Sequence, residues 1–261
     1  MITCNMVCLR ILPVFLAIVA MRAQPPGFEK PVFKTDTMSP QAGGAAELLE
    51  AVCPGQVVAG KQINCRGTCK TFPGGGSDWV GGWEITGVLR GHFLTPDSDD
   101  AVLSEKGCEP HMANWGGTFL LTRRTDGWKQ LWFKAGFITE SCHKLTGADR
   151  RDLLVCELAY GGQGLILRNL QLIDLKNSQS EPPEPFFQAA NTVGTCGLPS
   201  ADDVPAHTVV NASIERIEFT AATIRVYARY GKLTLNRRQL NDCMRNHVPF
   251  VPTKLKLITE P

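Results

Sequence analysis

Two lines of sequence decide the fold: WVGGWEITGVL from Trp79 and WKQLWFKAGFI from Trp128. Each reads Trp-x3-Trp-x3-Gly followed by two apolar residues, first at Trp79, Trp83 and Gly87, then at Trp128, Trp132 and Gly136. The likeness continues downstream. Leu94-Thr95 precedes an Asp-containing turn and an apolar run in LTPDSDDAVLS, and Leu145-Thr146 does the same in LTGADRRDLLV. A stretch of about fifty residues is therefore written twice, which is the mark of a repeat architecture.

Around these lines the chain reads as strand and turn. WEITGVLRGHFLT is β-rich, and DDAVLS is a short strand after an acidic turn. GTFLLTRR and WKQLWFKAG are joined by Thr125-Asp126-Gly127, which contains the Asp-Gly hairpin signal. RDLLVCEL and GLILRNLQLIDL follow. Short strands at this spacing predict an all-β fold of tandem antiparallel repeats, small and β-propeller-like, with a β-sandwich as the alternative. The repeat units fall near 79–127 and 128–176, inside a region spanning 45–176. One short N-terminal helix is predicted over AAELLEAVC, 45–53, where Leu48, Leu49 and Val52 share a face and Pro54-Gly55 stops it. Residues 177–190 are proline-rich and read as a linker. In 191–261, SIERIEF, TIRVYARY, KLTLN and KLKLIT alternate as half-buried strands do. RRQLNDCMRN, 237–246, is a C-terminal helix candidate.

The N-terminal end differs in kind. Arg10 precedes the apolar stretch ILPVFLAIVA, and small residues stand at Ala20 and Ala23. This predicts a signal peptide over 1–23, since the stretch is too short to span a bilayer. Residues 24–44, rich in Pro, Gly and polar residues, read as a flexible leader. No later stretch approaches the ~20 apolar residues of a membrane helix. The expected product is secreted or periplasmic.

Cysteine usage agrees with export. Beyond the signal stand Cys53, Cys65, Cys69, Cys108, Cys142, Cys156, Cys196 and Cys243, an even set that reads as disulfides. Cys142 and Cys156 flank one turn and are expected to pair. Cys196 and Cys243 are the two in the C-terminal part and are expected to pair as well. The other four then pair among themselves. A zinc site at Cys65-x3-Cys69 is the rival reading. The formal charge of +2 makes no electrostatic case for a nucleic-acid partner.

The segment from GTFLLTRR to GLILRNL resembles blades of the FG-GAP/VCBS type, the repeats of integrin-like propellers. Asp152-Leu153-Leu154-Val155 and Gly161-Gly162-Gln163-Gly164 carry that likeness. The chain is also similar to a group of secreted bacterial proteins, a likeness that brings no activity with it. The blade resemblance implies a calcium loop, because calcium takes six to eight oxygens from closely spaced Asp or Asn side chains. LTPDSDDA keeps Asp97, Asp99 and Asp100 but lacks the glycine. LTGADRRD keeps only Asp149 and Asp152 and places two arginines between them. Without calcium, no cofactor is expected, and these carboxylates cap turn amides.

Two functional readings follow. Gly-x-Ser-x-Gly, His-Glu-x-x-His and phosphate-binding glycine loops are missing. The first reading is therefore an exported, non-enzymatic binding module for an extracellular protein or glycan. Its surface would be the turns at 95–100, 108–117 and 146–151, with Trp115 and Asp97, Asp99 and Asp100 as contact residues. The repeated tryptophans either fill blade cores or form an exposed platform. The second reading is an exported hydrolase or metal-dependent enzyme. If the repeats stack, His92, His143, Glu109 and His111 converge on one face and supply an acid/base or metal site.

Overall fold

The computed structural model describes residues 31–66, 83–106, 117–135, 137, 139–162, 165–177, 183–196, 207–220, 223–247, 249–252, 254 and 256–260. Its described elements are almost entirely β. After the short helix α1 (Ala45–Leu49) come a small hairpin, β1 (Val57–Ala59) and β2 (Ile63–Cys65), and then two antiparallel sheets. The first is a four-stranded meander of β3 (Glu84–Gly91), β4 (Asp100–Lys106), β5 (Gly117–Arg124) and β6 (Gly127–Ala135). The second has seven strands in sequence order: β7 (Cys142–Thr146), β8 (Asp152–Gly162), β9 (Leu165–Ile173), β10 (Phe187–Asn191), β11 (Thr208–Phe219), β12 (Ile224–Thr234) and β13 (Lys256–Glu260). The helix α2 (Arg237–Asn246) lies between β12 and β13. All-β with two short helices is what the pattern of strands and turns predicts.

The first sheet is buried on both faces, which is why β4 and β5 read as nearly unbroken apolar runs rather than alternating ones. Alternate residues serve two cores. Val88, Ala101, Leu103, Phe119, Leu121 and Trp128 pack under α1 and the hairpin, against Leu48, Leu49 and Ile63. Leu89, Val102, Leu120 and Trp132 point the other way, onto Cys142, Leu154, Cys156 and Ile173 of the second sheet. The two sheets therefore stack face to face.

The second sheet curls. Among the described residues, strands β10 and β11 meet only at their ends, where Asn191 pairs with Asn211 and the Thr192 amide donates to the Val210 carbonyl. Leu170, Ala189, Ile214 and Val226 of β9 to β12 gather into one apolar cluster on the concave side. Phe219 of β11 reaches His143 of β7 across that hollow, with ring centroids 4.4 Å apart.

The sheet boundary lies between Ala135 and Cys142. Trp128 and Trp132 thus sit on the last strand of the first sheet, while Trp83 immediately precedes its first strand. Trp83 and Trp128 are buried and fill the core; Trp79 lies outside the described residues. The repeat is realised further along. In each sheet the first strand enters a turn, and the second strand starts on an aspartate, Asp100 in β4 and Asp152 in β8. The seven-stranded sheet is longer than the four-stranded blade that the FG-GAP resemblance implies. Residues 187–191, within and beside the proline-rich stretch read as a linker, form β10 and tie 208–260 into the same sheet as 142–173.

Part of the segment read as a leader, residues 31–38, threads between the sheets. Met38 exchanges backbone hydrogen bonds with Val88 at the edge of β3, and the Asp36 amide donates to the Cys142 carbonyl at the edge of β7. Gly87 is glycine for this reason: a Cβ there would stand 2.6 Å from Thr37 Cγ2.

Disulfides form between Cys142 and Cys156 and between Cys196 and Cys243, as the sequence leads one to expect. Cys53 pairs with Cys65, which leaves Cys65 to sulfur–sulfur bonding rather than to zinc. Cys69 and Cys108 lie outside the described residues. No described helix is long and apolar enough to cross a membrane.

Candidate functional site: two interlocked turns

The turn after β3 and the turn after β7 are the places where the duplicated sequence puts its charged residues. The structure brings them together at His92, Phe93 and Leu94. Asp152 Oδ2 accepts the His92 amide at 2.8 Å, and the Asp152 amide donates back to the His92 carbonyl at 2.8 Å. Asp100, fully buried, accepts the amides of Phe93 and Leu94 at 2.8 and 2.9 Å and the Ser98 hydroxyl at 2.5 Å, all on Oδ2. Its Oδ1 is buried and accepts no hydrogen bond among the described residues. The two aspartates that open β4 and β8 thus cap three successive backbone amides, as short polar side chains at turns do.

Arg151 locks the pair from the other side. Its guanidinium, 8% exposed, forks onto Asp174 Oδ1 and Oδ2 at 2.8 and 3.0 Å. It also donates to Asp149 Oδ2 at 2.5 Å and to the Phe93 carbonyl at 3.1 Å. Bidentate arginine–carboxylate geometry is among the stronger polar contacts. Asp174 holds its carboxyl below the usual range, first because Arg151 donates to it, and Asp149 is lowered for the same reason. The Arg151 pKa is raised in turn, mainly by Asp174. Sequence reasoning saw the arginines of LTGADRRD only as departures from an acidic pattern and missed that one of them is the internal cation of the turn.

The candidate residues fall as follows. Asp99 is exposed and makes a 3.6 Å ion pair with Arg123 on β5. Asp97 is exposed as well. Asp100 points inward, so the three carboxylates proposed for calcium do not converge. Among the described residues, no three His, Cys, Asp or Glu side chains gather as a metal site. His92 Nδ1 contacts the Ser98 carbonyl within its own turn. His143 Nδ1 lies 2.9 Å from Asp36 Oδ2, and its ring packs on Phe219 and Phe33. Its neighbour Lys144 reaches the Arg90 carbonyl on the opposite face of β7. Successive side chains of a strand point to opposite faces, so β7 turns His143 away from β3 and from His92 rather than toward them.

Glu109, His111 and Trp115 lie outside the described residues. The connection holding them leaves β4 at Lys106 and returns at Gly117. Those flanks stand at the end of the sheet opposite Asp100, about 20 Å away along a seven-residue strand. The turns at 95–100 and 146–151 therefore share one end of the molecule, and the flanks of 108–117 do not.

A second buried charge pair sits in the concave sheet. Glu157 and Arg168 are 3.0 Å apart with side chains 3% and 9% exposed. Burial pushes the Glu157 carboxyl up from its ordinary value of 4.5, against the lowering effect of Arg168. The two carboxylate shifts act on stability with opposite signs. Glu157, raised, binds its proton more readily in the folded chain, so stability rises as pH falls toward 4.5. Asp174, lowered, contributes stability above its ordinary value of 3.8 that is lost as pH falls below it. Urea unfolding across pH 3 to 8 is expected to show a maximum near pH 4 to 5 (roughly, from the ordinary carboxylate range). In Glu157→Gln the rise between pH 7 and that maximum should flatten. A wild-type profile that climbs steadily to pH 7 would contradict this.

No protein-family model matches the chain, and no curated protein or solved structure matches it at the significance required.

Proposed function

We propose that the chain is an exported, non-enzymatic binding module and that the interlocked turns 92–100 and 146–152 present its contact surface. The observation that carries this is Arg150. It stands at φ 65°, a left-handed conformation that favours glycine, and its side chain is exposed. An arginine held there costs roughly 1 kcal/mol relative to an unstrained residue, and strain retained at an exposed turn motivates a functional reading. On the same two turns Thr95, Asp97 and Thr146 are exposed too. Such a rim suits a polar extracellular partner, a protein face or a glycan. Three disulfides among the described residues support an oxidising, secreted or periplasmic setting.

The binding reading is favoured over the hydrolase because Asp100 and Asp152 are engaged in holding backbone and because β7 points His143 away from the His92 turn. Kinship with FG-GAP/VCBS blades is supported by the four-stranded meander and by the aspartates at the starts of β4 and β8.

Arg150→Gly separates folding from function. The variant is expected to melt about 2–4 °C higher than wild type, from relief of about 1 kcal/mol. On a glycan array and against immobilised extracellular proteins of the same source, it should lose the signals that wild type gives. Retention of every wild-type signal in a folded Arg150→Gly protein would remove this surface from consideration.

A further inference from the structure

We propose that residues 31–38 form an exchangeable strap and that the groove they fill accepts the same segment from a second copy of this chain. This goes beyond the binding surface at the turns and uses a different part of the molecule.

The strap is bound as an added peptide strand is bound, by backbone hydrogen bonds along exposed sheet edges and by side chains in alternate pockets. The Val32 amide donates to Glu157 Oε2 at 3.1 Å. The Asp36 amide donates to the Cys142 carbonyl at 2.8 Å, and Asp36 Oδ2 accepts the Lys144 amide at 2.8 Å. Met38 and Val88 exchange two bonds of 2.7 and 3.0 Å. Val32 and Phe33 pack against the concave cluster of Leu170, Ala189, Ile214 and Val226, and Phe33 meets Phe219 edge-on at 5.6 Å. The receiving surface is shaped for this occupant: Gly87 leaves the space that Thr37 takes.

Except for Met38 with Val88, these bonds join residues more than a hundred positions apart. The strap's C-terminal link to the body is the turn from Ser39 to Gly44, which leads into α1; Ser39 accepts the Ala42 and Gly43 amides within it, and the Gly43 carbonyl accepts the Arg90 guanidinium. A segment on a short hinge, bonded among the described residues to distant parts of the chain, is the arrangement that exchanges between identical copies. A second copy carries an occupant of identical fit, and that is why we commit to it.

The test uses the intact chain and a fluorescent peptide of residues 29–40, read by anisotropy. Saturable binding is expected, with the Phe33→Asp peptide at least about tenfold weaker. Weakening the resident strap in the intact protein, by Phe33→Ala with Asp36→Asn, should tighten binding of the wild-type peptide about tenfold or more. The apparent affinity is limited by the fraction of molecules whose groove is open. Sedimentation at rising concentration should give a dimer that excess peptide dissociates. Absence of saturable binding to wild type overturns the proposal, as does equal binding of the Phe33→Asp peptide. An unrelated extended peptide of the same length that binds as tightly as the strap overturns exchange between copies, and so does a dimer untouched by excess peptide. Should the double variant fail to fold, the wild-type arms decide.

Discussion

Arg151→Ala is expected to lower folding stability by about 3 kcal/mol, the lower end of what removing one partner from a buried charge pair costs, and the melting temperature by roughly 6–12 °C. The lower end is chosen because Asp174 keeps 27% of its side chain exposed and Asp149 is more than half exposed, so water can rescue both carboxylates in part. The loss has three parts in the geometry. Asp174 loses a forked partner, the Phe93 carbonyl loses a donor, and the 146–152 turn keeps only the Asp152–His92 bonds as ties to the 92–100 turn among the described residues. Arg151→Lys should recover only a minority of the loss, because an ammonium cannot reproduce the planar fork. Urea unfolding at neutral pH measures both. A change under about 1 kcal/mol for Arg151→Ala would place this residue with ordinary surface ion pairs.

Removing the Cys196–Cys243 bridge, as the double serine variant, is expected to cost about 4 kcal/mol from the entropy of a loop of this length. The residues are 47 apart. The damage should centre on α2. That helix has ten residues, and Cys243 is its one buried side chain. A helix this short is marginal in water without tertiary support. Its N-terminus is well made, with Asn236 accepting the Gln239 amide at 2.9 Å and Gln239 reaching back to the Asn236 amide at 3.0 Å. Such a capping box contributes about 1 kcal/mol, too little to hold the helix alone. Far-UV circular dichroism of the variant should show loss of one helix of about ten residues, with the β signal retained. Retention of full helicity with a stability loss below about 1 kcal/mol would show that Leu240, and not the bridge, holds α2 against Val209 and Leu235.

What the sequence made legible was local. The bounds of α2 and β5 and the pairing of Cys142 with Cys156 and of Cys196 with Cys243 follow from periodicity, punctuation and position. The Trp-x3-Trp-x3-Gly lines were readable as a duplication, but their placement was not. In the first copy the line from Trp83 runs straight into β3. In the second, Trp132 stays on β6 and the chain then crosses to β7. The difference depends on which neighbour each strand finds, and no local pattern encodes that. The strap was hidden because it binds through backbone and through contacts fifty to more than a hundred positions away, so residues 31–38 show no period of their own. Strand β10 was hidden beside prolines. Of the proposed histidine cluster, His143 faces away from His92 by alternation within one strand, since its neighbour Lys144 faces the first sheet, and Glu109 and His111 lie outside the described residues. Arg151 was hidden because an arginine between aspartates looks like a broken acidic motif until its partners are known.

Amide hydrogen exchange at His92, Phe93 and Leu94 tests most directly the claim that the two turns form one rigid platform. These amides donate to Asp152 and Asp100, and they are expected to exchange only through openings close in free energy to global unfolding, alongside the core of β4 and β5. In Arg151→Ala they should exchange much faster while β5 stays protected. Exchange of these amides in wild type within seconds, as in an untethered surface turn, would contradict the platform and with it the contact surface built on it.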